Sequence, residues 1–396
     1  MLSTRKAFIG KSSPPMAHDV FPGILADTSM DPINKHHILL LGPSLGAVSG
    51  VSTHLNLLLQ SRLGEDFRLG HFQVGSEGRD ETAAIKVFRL FSSPFLFCRE
   101  LIRSQVEVVH LNTSLNPKAF WRDVVYLLIA KALKKRVVFQ VHGGKLPEDF
   151  FAGNGILTLF LKWILRKSDA VVLLAEIEKE AYSRFVALER VLLIPNAVDL
   201  RYFENCPEKT FPNKQISAVY IGRLTRDKGV HEILDALDML VNEEMIETVR
   251  VTLAGSGPDE PSLKRLVADR GLEPFVTFAG PVFDELKQAF WEEAELFLFP
   301  TYHEGLPYAV LESLASGTPV VTTAVGGIPD VVEEGRHGVF VPLRDAKALA
   351  EAIKEMIGDR ERMRQMSAAC RARAEEMYSL DRLSGQFSRL YTEIIG

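Results

Sequence analysis

Two carboxylates eight residues apart, Glu304 and Glu312, stand in the stretch EGLPYAVLESLASGTPVVTT, which runs from Glu304 to Thr323. The preceding LFLFPTYH reads as a buried strand. The first acid therefore falls where a parallel strand gives way to a helix, and the second falls inside that helix. A helix N-terminus carries partial positive charge and attracts anions. A dipole partner accounts for Glu304 on that ground but gives no reason for Glu312. On this pattern alone Glu312 is either a ligand for hydroxyl groups or a surface helix residue.

Cations and glycines cluster after other strands. RLTRDKG follows the strand SAVYIG, so Arg223 and Lys228 flank a loop that leads into a helix. Arg clamps phosphate through paired hydrogen bonds and Lys acts as a point charge, so the pair suits a diphosphate. The alternative is a solvated basic turn. GSGPDE follows VRVTLA and begins like a dinucleotide fingerprint, but Glu260 stands where the third glycine belongs. That disfavours a nicotinamide or flavin site and leaves a tight glycine turn. Nearer the N-terminus, HILLLGPSLGAVSGVSTHL places glycines 42, 46 and 50 between a strand and a helix. Gly50 permits close approach of a ligand or backbone, and the N–H groups that follow can meet phosphate. VVFQVHGG puts His142 at the end of a buried strand, as a base, a donor to substrate hydroxyls or a turn residue satisfied by backbone. No Asp-x-Asp pair occurs in the chain. That pair is the usual carboxylate cradle for a divalent ion on a nucleotide sugar, so no divalent metal is expected and Arg223 and Lys228 carry the charge neutralisation.

These residues need a scaffold of strands that end at one edge. Continuous apolar runs such as HHILLLG, VEVVHLN, RVVFQVHGG and DAVVLLA suit parallel strands covered on both faces. Helical segments near 119–134, 150–167 and 176–187 separate them. The polar, proline-bearing YFENCPEKTFPNKQ interrupts the rhythm and reads as a linker over 201–214. Strand–helix alternation restarts at ISAVYIGRL and continues to a helix at 345–357, then a long helical segment at 361–395. The class is α/β, with two doubly wound parallel sheets and a ligand site beyond their strand ends. Residues 1–35 have no apolar periodicity and read as a flexible extension.

Composition sets outer bounds. The 396 residues are 46% apolar and 24% charged, with a net charge of −5, which argues against a general nucleic-acid binder. Three scattered cysteines form neither a metal-type pair nor an even disulfide set. No apolar run reaches the ~20 residues that span a bilayer, and the N-terminus lacks the apolar core of a signal peptide. A cytoplasmic protein is expected.

The motifs together resemble the family-four, or group 1, retaining glycosyltransferases. E-G-L-P-x4-E-S-L-A-S-G-T-P-V-V is similar to that family's E-x7-E motif, and GGIPDVVEEGRHGVFV follows it as in the family. YIGRLTRDKG, LAGSGP and IPNAVD match further landmarks in the right order, and the resemblance covers about residues 37–390. It implies the GT-B fold: two facing Rossmann-like domains with parallel sheets and a deep cleft. The acceptor-side domain would span 36–200 and the donor domain 215–375, with 376–396 crossing back to the first. Arg223 and Lys228 would hold the donor diphosphate, with Gly222 at the start of their loop. Glu304 would meet sugar hydroxyls, and Glu312 would bind the ribose. His142 would contact the donor sugar near the reacting centre. Ser49 and Gly50 match the glycine-rich loop that closes over the diphosphate, with Ser-Gly where many members have two glycines. Backbone at Gly305, Leu306 and Pro307 would lie against phosphate or sugar, with Pro307 in the first helical turn. Backbone near Gly257 and Val282 would read the base. The implied reaction moves a hexose from a nucleotide-diphosphate sugar to an acceptor hydroxyl with retention, in cell-surface polysaccharide or glycolipid synthesis. The donor is a substrate, and no cofactor is implied.

The acceptor side is less explicit. KVFRLFSSPFLFCRELIRS and FFAGNGILTLFLKWILRKSD mix aromatics with Arg and Lys. Such segments either rest on an anionic inner membrane surface that presents a lipid-linked sugar or form core with a solvated basic face. A carbohydrate acceptor is equally compatible. A GT-B-fold epimerase and a catalytically silent nucleotide-sugar-binding protein are the alternative readings.

Overall fold

The computed structural model describes residues 35–213, 215–242 and 248–396. The expected N-terminal extension therefore lies, but for Lys35, outside the described residues. The first half runs β1 (His37–Gly42), α1 (Gly50–Gln60), α2 (Leu63–Asp66), β2 (Arg68–Gln73), α3 (Ala83–Arg103), β3 (Val108–Leu115) and α4 (Pro117–Ala132). It continues through β4 (Arg136–Gly144), α5 (Pro147–Phe150), α6 (Gly155–Lys167), β5 (Ala170–Leu173), α7 (Glu176–Phe185) and β6 (Val191–Leu193). The second half runs β7 (Ile216–Ile221), α8 (Val230–Asn242), β8 (Val249–Ala254), α9 (Glu260–Asp269), β9 (Val276–Gly280), α10 (Asp284–Glu293) and β10 (Leu296–Phe299). It ends with α11 (Tyr308–Ala315), β11 (Val320–Thr322), α12 (Ile328–Val331), β12 (Gly338–Phe340), α13 (Ala346–Gly358), α14 (Arg360–Met377) and α15 (Leu380–Ile395).

Each half carries one six-stranded sheet, and every strand pair is parallel. The first sheet has the order β2-β1-β3-β4-β5-β6 and the second β12-β11-β10-β7-β8-β9. In the second, strand order reverses between β7 and β10. The loops that leave those two strands flank a topological switch point, where open α/β sheets bind ligands.

Apolar runs explain the central strands. β1, β5 and β10 are buried along their whole length, because helices cover both faces of each sheet. β2 escaped the sequence reading, because RLGHFQ is a half-exposed edge strand with no continuous apolar run. The helix expected over 150–167 begins only at Gly155, and Gly153 at φ +83° separates it from the short α5 before it. The terminal helical segment breaks at Tyr378. Ser379 there caps a new helix, its Oγ accepting from the Arg382 N–H.

The first sheet buries different helices on its two faces. Phe97 and Leu101 of α3, Phe120 and Leu127 of α4, and Leu161 of α6 pack with Leu39, Val109 and Phe139. Leu55 of α1, Leu63 of α2, and Leu383, Phe387 and Leu390 of α15 pack with Ile38, Leu40 and Val138 on the other. The last helix of the chain thus lies on the first sheet.

Candidate active site

The loops after β7 and β10 press backbone to backbone at the switch point. Gly229 has φ +72°, and a Cβ there would fall 2.1 Å from the Pro300 carbonyl oxygen, so no side chain fits. The Tyr302 N–H donates to the Asp227 carbonyl at 2.8 Å and fixes the pairing. This contact brings Lys228 Nζ to 2.5 Å from Glu304 Oε1, with both side chains largely buried. Thr301 Oγ1 donates to the same carboxylate oxygen at 3.1 Å. The Gly-Gly pair of the GGIPD run holds the far side of this turn. A Cβ on Gly326 would lie 2.0 Å from the Glu304 carbonyl oxygen, and the Gly327 N–H donates to the Gly305 carbonyl at 2.7 Å.

Arg223 lies in the same loop as Lys228 but is exposed, and among the described residues no hydrogen bond or ion pair engages its side chain. Its backbone carbonyl accepts from the Tyr220 hydroxyl at 2.7 Å. Gly222 and Gly257 mark where this loop meets the loop after β8. A Cβ on Gly257 would lie 2.2 Å from the Leu224 carbonyl oxygen, and one on Gly255 would lie 1.8 Å from that of Gly222. Val282 is half-buried in the loop after β9.

Glu312 is buried on α11, which excludes the surface-helix alternative. It lies just over one turn from the helix start, because the helix begins at Tyr308 and Pro307 is its N-cap instead of a first-turn residue. Its two oxygens have different partners. Lys287 of α10 pairs with Oε1, and the indole Nε1–H of the fully buried Trp291 donates to Oε2 at 3.2 Å.

The first half meets this constellation across the cleft. Gly143 has φ +82°, and a Cβ there would lie 3.4 Å from the Gly305 Cα. His142 is therefore adjacent to the Glu304–Gly305 turn. Asn112 Nδ2 donates to the His110 carbonyl at 3.3 Å, which turns its Oδ1 toward His142. His142 Nε2 donates to that oxygen at 3.0 Å, leaving Nδ1 as the acceptor. Burial, reinforced by the neighbouring His54 and His110, holds the His142 pKa well below the usual value, so the ring is neutral. The His54 ring stands edge-on at 4.7 Å. Ser49 caps α1, and a Cβ on Gly50 would lie 3.7 Å from the Tyr308 ring at the start of α11. Asn196 of the IPNAVD run donates to the Leu306 carbonyl at 2.8 Å. Lys228, Glu304, Gly305, Leu306, Pro307, Gly50 and His142 thus converge on one cleft. Arg223 is exposed beside them, and Glu312 is buried on α11 against Lys287 and Trp291.

Residues 203–373 match the family described as glycosyl transferases group 1, and residues 78–202 match glycosyltransferase family 4. The second half carries a group 1 glycosyltransferase match. WcaL of Salmonella typhimurium, named for colanic acid biosynthesis, is 32% identical to this chain over 173 residues, 42% of each protein. The capsular polysaccharide biosynthesis glycosyltransferase CapM of Staphylococcus aureus is 29% identical over 179 residues, 44% of this chain and 46% of CapM. The matches therefore span less than half the length of these curated relatives. Sucrose-phosphate synthase from Thermosynechococcus elongatus superposes with a TM-score of 0.72 at 19% identity, over 91% of this chain and 99% of that one. Alr3699/HepE of Anabaena, solved with UDP, gives 0.72 at 18% identity over 90% and 100%. The fold of the chain is GT-B.

Sequence reasoning missed Lys287, Trp291 and Asn112. The Trp in FWEEAE had a helical position facing α11 but nothing in the sequence that marked its partner. Asn112 is one residue in a buried strand, and its role depends on the strand beside it. Tyr308 was quoted only inside the motif, although its buried hydroxyl has no hydrogen-bond partner among the described residues.

Proposed function

We propose that the protein transfers a hexose from a nucleotide-diphosphate sugar to an acceptor hydroxyl with retained anomeric configuration. The observation that carries this reading is the Lys228–Glu304 pair at the switch point, facing His142 and Gly143 across the cleft. The bond between the anomeric carbon and the diphosphate oxygen breaks, and its electron pair leaves with the diphosphate. Lys228, joined by the exposed Arg223, takes up that charge. The acceptor oxygen forms the new bond on the face the diphosphate leaves, and its proton passes to a departing phosphate oxygen. No protein base is required, so orientation and electrostatics supply the catalysis.

Glu304 accepts from donor-sugar hydroxyls and keeps Lys228 aimed at the leaving group. Neutral His142 offers Nδ1 to another sugar hydroxyl without adding positive charge. Glu312 takes the ribose hydroxyls, and backbone near Gly257 and Val282 reads the base. The N–H groups opening α1 and α11, beside Ser49, Gly50 and Gly305, meet the diphosphate. The polysaccharide names of the relatives support a place in cell-surface polysaccharide or glycolipid synthesis. The acceptor is a carbohydrate or a lipid-linked sugar, taken up in the cytoplasm in peripheral contact with the inner membrane surface.

The test is thermal unfolding of the parent with UDP, GDP, ADP and CMP, followed by turnover of the matching nucleotide sugar with and without acceptor. A ligand at about a hundred times its dissociation constant adds roughly 2.7 kcal/mol of stability. A shift with one diphosphate, and product of retained configuration that needs acceptor, is the expected result. Product without acceptor would assign an epimerase, and no shift with any nucleotide would overturn the reading.

A further inference from the structure

The first half presents a broad apolar surface that no part of the described chain covers. It is built on α3, α4 and α6, which lie side by side on one face of the first sheet. In α3 only Ser93, Phe97 and Leu101 turn inward. Phe88, Phe91 and Phe95 follow one another at helical spacing on the outside and are 74%, 76% and 73% exposed. Trp121 of α4 and Ile156 and Trp163 of α6 extend the same surface, with the Trp121 ring stacked on Phe160 and Phe160 on Trp163. Soluble monomers rarely leave contiguous apolar surface of this kind in water.

The three helices that build it are predominantly basic. The three helices carry ten lysines and arginines against two acids, Glu100 and Asp123, in a chain whose net charge is −5. Asp123 is tied to Arg122. A second copy of this chain docked through the same face would bring like charge to like charge. An apolar face rimmed by Lys and Arg, with tryptophans in its middle, matches instead the boundary between acyl chains and anionic headgroups. No helix of the described residues is long and apolar enough to cross a bilayer.

The surface also begins beside the cleft. Arg89 of α3 donates to Ser76 Oγ at 3.0 Å and pairs with Glu81. The next residue of that loop, Glu77, accepts through its carbonyl from the Ser44 N–H at 3.4 Å, in the glycine-rich loop that leads to Ser49 and Gly50.

We infer that the outward face of α3, α4 and α6 docks on an anionic lipid bilayer, which sets the cleft mouth at the headgroup level. The inference rests on the proposed reaction only for what the membrane presents, an acceptor sugar on a lipid. The surface itself is measured separately.

The experiment is co-sedimentation of the full chain with vesicles of phosphatidylcholine alone and of phosphatidylcholine with phosphatidylglycerol. The variant is Phe88→Glu/Phe91→Glu/Phe95→Glu, three exposed positions whose exchange leaves the core untouched. The parent is expected to prefer the anionic vesicles by about tenfold or more and to lose that preference at high salt. The variant is expected to stay in solution while keeping the parent's melting temperature and nucleotide response. A parent that ignores both vesicles, or a variant that binds as well as the parent, overturns the inference. So does a parent that is dimeric in solution and becomes monomeric in the variant, which would give the face to a second copy. Failure of the nucleotide response alone would strike the proposed reaction and leave the vesicle result standing.

Discussion

Gly143 and Gly305 meet across the cleft with no side chain between them: a Cβ built on Gly305 would lie 3.3 Å from the Gly143 Cα. Their contact sets the distance between His142 and Glu304. Gly305→Ala is expected to keep the fold and lower kcat by roughly tenfold to a hundredfold, because misplacement by about 1 Å is costly to a positioned reaction. Gly143→Ala adds strain of about 1–2 kcal/mol at φ +82° and should lower the melting temperature as well. Steady-state kinetics with thermal unfolding separates the two. Unchanged kcat in both variants would sink the claim that this contact tunes the site.

Lys228 and Glu304 serve each other before any substrate arrives. Lys228→Met should cost about 10²–10³ in kcat and leave a mostly buried carboxylate unpaired, at up to about 3 kcal/mol of stability. Adding Glu304→Gln should return stability without returning rate. Recovery of rate in the double variant would show that the lysine does not stabilise the leaving group.

The Glu312 carboxylate is held from two sides. Trp291→Phe removes one neutral donor and should weaken nucleoside-diphosphate binding by about 5- to 30-fold through a loss of roughly 1–2 kcal/mol. Glu312→Ala should abolish the nucleotide-dependent rise in melting temperature. Calorimetric titration with the diphosphate that stabilises the parent measures both. Wild-type affinity in Glu312→Ala would remove this residue from the nucleotide site.

Acid should destabilise the protein below the histidine range. Burial lowers the pKa of His54 and of His110 to about 3, with His54 adding to the shift of His110. The unfolded chain titrates near 6.5 and binds the protons the folded chain refuses, so stability is full above about pH 6.5 and falls as pH drops toward 3. At pH 5 each ring costs about 2 kcal/mol. Glu178, raised by burial to about 7, acts in the opposite sense and loses stability as pH rises through 4.5 to 7. Two histidines outweigh one carboxyl, so the melting temperature should fall from pH 6.5 to pH 5. His110→Gln should flatten that slope, and an unchanged slope would mean the rings are solvated.

The sequence made the second half legible because its central strand LFLF is apolar and buried throughout and its special glycines stand in quoted motifs. Gly326, Gly327 and Gly229 each sit where a Cβ would strike a carbonyl, so the residue type records the contact. β2 was invisible because an edge strand buries little and needs no apolar run. Glu304 was readable as a helix-entry acid, yet its bond to Lys228 was not, since the two lie 76 residues apart and meet only through strand order. The same is true of Trp291 and Glu312, and of Asn112 and His142. Tertiary pairings leave residue types in a sequence but not partners.

The two halves are joined at a place where the chain passes twice. Val198 and Ser379 form a parallel bridge, with the Val198 N–H donating to the Tyr378 carbonyl at 2.8 Å and the Leu380 N–H to that of Val198 at 3.1 Å. A single covalent thread would let one half swivel freely about the other. Two threads stitched side by side resist torsion and yield most easily to bending across their common line. The faces that carry His142 and Glu304 are thereby held in one rotational setting about the joint, like facing pages bound at one spine.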